Sequence, residues 1–321
     1  MSGHSFWLII PLIAAVFYVL GNVFQNYCVD TAMPKKQAGA YVATHSISFV
    51  VGILLMLGFF GRAAFMLPFM NAFGLVLAGI VNVIGAVFFN KAFQEGDTMD
   101  VNIYSEVGPM ISLGLSVAIL GQSISPSQAL AFLFIMGGAL LIVFGDDGGK
   151  KSKKKTPDFK TVSLTVTACF FSVLSDVIFC YFLHGTKDFH LFAQSFLYFE
   201  AGSLLAVILG LILFDSWRKA LKKAFVTSKK RNKAIGAMLM NNLTFFTAEI
   251  IYKFGIIIAP MLALLSVMNN AAKLIASLVF ALVLGKHLPK LAQAKKITKK
   301  MLYNYLMAGI LILVGVLLIN G

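Results

Sequence analysis

An ionisable side chain near the middle of a long apolar run costs about 2.5 to 3.5 kcal/mol on membrane-insertion scales, so each one in this chain needs a reason. Lys273 and Glu200 lie roughly 3 Å from the centres of their runs at about 1.5 Å per helical residue, and Glu106, His45 and Asp176 roughly 5 to 6 Å. Carboxylates and an imidazole at that depth can bind a cation or exchange protons, while a lysine can hold an anion or neutralise a carboxylate. Two polar stripes accompany them. Ser266, Asn270, Lys273 and Ser277 recur at i, i+4, i+7 and i+11 down one otherwise apolar run. Asn102, Glu106, Pro109 and Ser116, with Tyr104 and Ser105, mark another. Asn242, Phe246 and Glu249 share a stripe in a third, equally suited to lining a ligand and to packing. Pro109 removes a backbone bond and should loosen its helix where a ligand could use the freed carbonyl. Glu249 and Lys253, four apart near the end of a run, read as an ion pair snorkelling at the interface. The bland alternative for Lys273 is an internal bridge to Glu106 or Glu200 that only holds helices together.

The elements that must position these residues are membrane helices. Of 321 residues 59% are hydrophobic and 12% charged, with mean hydropathy +0.86, a composition that leaves a polytopic membrane protein as the fitting class. About 20 apolar residues cross the hydrocarbon core as a helix, and stretches of that kind lie near 6–28, 38–60, 69–92, 98–120, 127–145, 161–183, 190–214, 234–257, 259–284 and 302–320. Only five residues precede the first stretch, none of them basic, and the stretch is too long for a signal-peptide core, so no cleavable signal is expected. Cys28, Cys169 and Cys180 fall in or at the ends of stretches, form no CxxC, and read as small packing residues.

The net charge of +14 does not point to nucleic acid. Nearly all of the 27 Lys and Arg stand in connections after odd-numbered stretches, and that asymmetry is a topology signal placing those connections in the cytoplasm, solvating one face and touching anionic lipid. Residues 215–233 and, more loosely, 285–301 carry apolar residues at helical spacing among lysines, and either could be a short surface helix.

The chain also lines up with itself. Residues 14–27 align without a gap on 168–181, 74–91 on 236–253, and 131–138 on 308–315, in unbroken order. The alignment sets Asn22 on Asp176, His45 on Glu200, Glu106 on Asn270, and Asn90 and Lys91 on Tyr252 and Lys253. Each copy holds an odd number of stretches, so the second must lie inverted relative to the first, which is the architecture of secondary transporters with a midplane site. The expected fold is therefore an all-α polytopic membrane protein of ten transmembrane helices in two inverted five-helix repeats: 1–145, a basic flexible linker 146–160, and 161–321.

Residues 92–109 (AFQEGDTMDVNIYSEVGP), Leu120 and Gly121, and residues 137–142 resemble the EamA-type module of the drug/metabolite transporter superfamily, and the second half resembles it through Ala259, Pro260, Leu284, Gly285 and residues 308–315. The resemblance implies a metabolite transporter and both termini cytoplasmic. Three features depart from the family's pattern. Leu20 and Gly21 stand where Trp-Gly is usual, Lys273 stands at a proline position, and the lysines put the termini outside.

No HExxH, GxSxG, Walker or CxxC motif is present, so no cofactor or metal is expected and any transport would be driven by gradients and not by ATP. The favoured expectation is a secondary transporter, an antiporter of the bacterial inner membrane. Three central carboxylates against one lysine suit a cationic or zwitterionic ligand such as an amino acid or an amine-bearing metabolite, with Tyr18, Tyr104 and Phe246 available to stack on it. Glu200, which has an ionisable repeat mate and no opposite charge one turn away, is the first choice for proton exchange. A homodimer is compatible with this reading. A membrane enzyme acting on a lipid-linked substrate through Glu200, Asp176 and His45, and a non-transporting scaffold, remain as alternatives.

Overall fold

The computed structural model describes residues 6–31, 42–61, 65–95, 101, 104–145, 159–183, 188–222, 231–287 and 299–320. Among them there is no strand. The α-helices are α1 (Ile9–Thr31, entered through a 3-10 turn at Phe6–Leu8), α2 (Ser46–Phe60), α3 (Phe69–Glu95), α4 (Gly108–Leu120), α5 (Pro126–Gly145), α6 (Phe159–Leu183), α7 (Phe189–Leu213), α8 (Asp215–Lys222), α9 (Arg231–Ile258), α10 (Leu262–His287) and α11 (Lys299–Asn320). Together they make an all-α polytopic membrane protein.

Four segments are long and apolar enough by themselves to cross a bilayer: Val42–Phe60, Phe69–Glu95, Phe159–Leu183 and Phe189–Leu213. Further apolar helical segments are shorter, Ile9–Phe24, Gly108–Leu120, Pro126–Leu141, Leu262–Ser277 and Tyr303–Leu318, and α9 is interrupted in its hydropathy by Glu249 and Lys253.

Local chemistry sets the helix ends. Ser125 and Gln128 form a reciprocal capping box at the start of α5, Gln128 N–H donating to Ser125 Oγ (3.2 Å) and Ser125 N–H to Gln128 Oε1 (3.0 Å), with Pro126 opening the helix. Asp188 caps α7 by accepting from the His190 N–H at 2.8 Å. Gly121 ends α4 in the left-handed region at φ +63°. The surface helix expected in 215–233 is α8, whose Trp217 stacks on Phe214 (5.5 Å between centroids) and fills the space a side chain at Gly210 would need. Of the segment 285–301, residues 288–298 lie outside the described residues.

Two boundaries differ from the sequence reading, and both bear on the site. The stretch expected as one helix over 38–60 is helical at 42–44, turns at His45, and resumes as α2. The stretch expected over 98–120 becomes α4 only at Gly108, after a turn through Glu106 and Val107. Pro109 therefore sits in the first turn of α4, where its missing N–H costs no helical bond, and does not kink a longer helix.

The principal interfaces join an element before residue 146 to one after residue 158: α3 with α6 and α7, α1 with α9 and α10, α5 with α11, α2 with α7, and α4 with α6 and α10. Small residues make the closest crossings. A Cβ on Gly79 would lie 2.0 Å from Phe199 O, and one on Gly202 would lie 2.1 Å from Val76 O, so α3 and α7 meet backbone to backbone. Gly138 and Gly315 do the same between α5 and α11, each 2.8 Å at its absent Cβ from the Ala308 and Ala131 carbonyls. Ser175 Oγ donates to Ala78 O (2.8 Å) and Ser203 Oγ to Gly79 O (3.2 Å), adding polar contacts along α3.

Candidate functional site

Between these interlocked elements lies a cavity of about 420 Å³ lined from α1, α3, α6, α7, α9 and α10, and from the two turns around His45 and Glu106. Before residue 146 its lining lies toward the connections rich in lysine: residues between Asn82 and Phe93 in the later half of α3, Val42 to Phe49 at the beginning of the α2 segment, and Ser105 to Gly108. After residue 158 it runs deeper, through Cys169 to Asp176 on α6, Phe245 to Tyr252 in the later half of α9, and Ser266 to Ser277 on α10.

The floor is an ion-paired network. Lys253, 0% exposed, donates from Nζ to Asp176 Oδ1 at 2.7 Å and lies 3.8 Å from Glu249 Oε1. Its ammonium also sits 4.3 Å from the Phe199 ring centroid and 4.9 Å from that of Phe179. Tyr252 OH donates to Asp176 Oδ2 (3.3 Å), and Tyr18 OH donates to Glu249 Oε2 (2.8 Å). The reading of Glu249 and Lys253 as a snorkelling surface pair is therefore corrected. The rest of the bundle covers Lys253 completely, and its main partner is a carboxylate on α6, which sequence spacing within one helix cannot reveal.

The wall is held differently. Glu200 on α7 is 1% exposed, and its Oε2 has no hydrogen-bond partner among the described residues. Gly52 on α2 makes the room for it: a Cβ there would fall 3.2 Å from Glu200 Cγ and 2.7 Å from Phe246 Cε2. Phe199, Phe245 and Phe246 line the same cavity, and His45 meets Phe245 edge to face at 5.6 Å. Lys273 forms no ion pair among the described residues; its Nζ sits 4.1 Å from the Tyr18 ring centroid. The internal bridge from Lys273 to Glu106 or Glu200 is thus replaced by a cation–π contact. Glu106, buried at the turn before α4, likewise forms no ion pair among the described residues.

Of the residues singled out from sequence, Asn22, His45, Glu106, Asp176, Glu200, Asn270 and Lys273 all line this one cavity. Asn242 stands outside it. Its Nδ2 donates to Thr44 O (3.2 Å) and Met238 O (2.9 Å) and its Oδ1 accepts from Ser48 Oγ (2.9 Å), so its amide is occupied in holding α9 to the start of α2. Tyr104 is not among the lining residues, and Asn102 lies outside the described residues. Cys169 and Cys180 are buried as expected, with Cys169 also reaching the cavity. Sequence reasoning missed Tyr252, Asn269, Asn82 and Asn90 as lining residues. The repeat carried a signal for two of them, since Asn90 and Tyr252 are aligned mates.

Residues 5–144, a little under half of the chain, match the model of the EamA-like transporter family, so the first half is similar to a module of that family of membrane transporters. No curated protein matches the chain. A solved crystal structure superposes with a TM-score of 0.67 at 14% identity, covering 99% of this chain and 97% of that one, so the fold they share extends through both halves.

Proposed function

We propose that this chain is a secondary transporter that carries a small cationic or zwitterionic metabolite, such as an amino acid or another amine-bearing compound, by alternating access in exchange for protons. The observation that carries the reading is the charge of the cavity: four carboxylates (Glu106, Asp176, Glu200 and Glu249) and one lysine (Lys273) line a space of about 420 Å³, the size of a small ligand, with Lys253 buried behind Asp176 and Glu249. Asp176 and Glu249 are held by Lys253, which leaves Glu106 and Glu200, and of these we take Glu200 as the one that meets a ligand or a proton, because three phenylalanines that suit an organic cation back it. The pairing of α3 with α6, α1 with α9, and α5 with α11 supports two inverted five-helix halves, because exchanging the halves maps this set of contacts onto itself. The surface helix α8 is then an addition to ten spans. We place the basic connections in the cytoplasm of a bacterial cell and both termini outside, following the lysines.

The direct test is flux. Purified protein in liposomes with an imposed pH gradient should accumulate labelled amines or amino acids, unchanged chemically, and should ignore sugar phosphates. Uptake of polyanions alone, or turnover of the solute, would sink the reading. Orientation has its own test: an impermeant thiol reagent on intact cells should label Gly321→Cys and spare Ser152→Cys, and the reverse pattern would restore the family's usual topology.

A further inference from the structure

Toward the lysine-rich connections the cavity is lined by His45, Asn90, Phe93 and Glu106, and at its deep side the lining reaches Asp176 and Tyr252, with Lys253 buried behind them. On α6, Cys169 lies seven residues before Asp176, about 10 Å back along the helix, and lines the cavity; Cys180 lies four residues beyond it, about 6 Å, and is 1% exposed and not part of the lining. Past the ion pair the interior is solid with Phe179, Phe192, Phe196, Ile256 and Leu265, all buried. The pair thus marks the boundary between open and filled space, and it joins two helices, α6 and α9, across that boundary.

The repeat gives the boundary a counterpart. Tyr252 and Lys253 on α9 align with Asn90 and Lys91 on α3. Lys253 is fully covered, whereas Lys91, next to the lining residue Asn90, is exposed. The same position in the two halves is closed at one face and open at the other. We propose that the Asp176–Lys253 ion pair is a latch holding the cavity shut on its deep side, and that it parts when the protein opens to that face. This rests on the transporter reading. The physics favours an all-or-none device: a bare lysine and a bare carboxylate are too costly to leave apart in a dry interior, so the pair separates only as water enters past it. A cationic ligand beside Asp176 would supply the replacement counter-charge and so link occupancy to opening.

The two native thiols flank the latch and read it. With Cys28 replaced by serine, full-length protein in liposomes is treated with a charged methanethiosulfonate, and the initial rates at Cys169 and Cys180 are followed by mass spectrometry. Cys169 should react readily and Cys180 about 10- to 1000-fold more slowly, as for a site uncovered only in a minor state. Asp176→Asn with Lys253→Gln removes both charges of the pair and leaves Glu249 its hydrogen bond from Tyr18, and should raise the Cys180 rate about tenfold or more on protein that retains its helicity and elution volume. The charge swap Asp176→Lys with Lys253→Asp should return it to within about threefold of the original. A folded neutral variant whose Cys180 rate stays within about twofold of the original overturns the latch. The unmutated chain gives a second measurement that does not depend on a variant folding. Acylation of Lys253 and modification of Cys180 should fall on the same molecules, since one opening uncovers both, and uncorrelated modification would also overturn it. None of these readouts uses a solute, so their failure leaves transport standing, and the flux assay fails or succeeds separately.

Discussion

Asp176 and Glu200 are carboxylates on adjacent helices, lining the same cavity, and they are held in opposite ways. Asp176 takes a salt bridge at 2.7 Å from Lys253 and a hydrogen bond from Tyr252. Glu200 is more deeply covered, yet keeps an oxygen with no partner among the described residues and is surrounded by phenylalanine and the bare backbone of Gly52. Depth in the membrane does not distinguish them; the cations that other helices bring up do. A neutralised carboxylate braces the bundle, and an unneutralised one is available to a ligand or a proton.

The largest expected effect tests the first half of that contrast. Lys253→Met should destabilise the protein by about 3 to 5 kcal/mol in thermal or SDS unfolding, because it leaves Asp176 buried without its partner and Glu249 without its nearby ammonium. A loss of under 1 kcal/mol would mean that the network is well hydrated and that the contrast with Glu200 is one of degree. Lys273→Ala should cost less, about 0.5 to 2 kcal/mol, since it deletes a contact with the Tyr18 ring and strands no ion-paired carboxylate. Sequence alone pointed to a larger penalty through a bridge to Glu106 or Glu200, and a cost matching that of Lys253→Met would bring that bridge back. Smallest is Tyr252→Phe, about 0.5 to 1.5 kcal/mol, for one hydrogen bond to a carboxylate that keeps its lysine.

What could be read from sequence follows the repeat. The three aligned pairs, Asn22 with Asp176, His45 with Glu200 and Glu106 with Asn270, all reach the cavity, as the proposed inverted halves would require, since such halves set equivalent positions at equivalent depth about one centre. Of the candidates without a matched polar mate, Lys273 reaches the cavity, but Asn242 is spent on bonds to Thr44, Ser48 and Met238, and Tyr104 stands off the lining. Periodicity placed the long helices but could not see the turns at His45 and Glu106, each of which positions an ionisable side chain. Nor could it see that Lys253 belongs to Asp176. The two residues are on different helices, and their partnership exists only once α6 and α9 are side by side.

The central claim is that Glu200 is the carboxylate that meets the ligand, and a thermal-shift screen tests it most directly, since a ligand that binds only the folded state raises the melting temperature. Amines, amino acids and polyanions are screened against the original chain and against Glu200→Gln, which keeps the shape of the side chain and removes its charge. The account predicts that some cationic or zwitterionic compound stabilises the original chain, that polyanions do not, and that Glu200→Gln melts close to the original without ligand while losing the ligand-induced rise. A rise of equal size in Glu200→Gln, or stabilisation by polyanions alone, would contradict it.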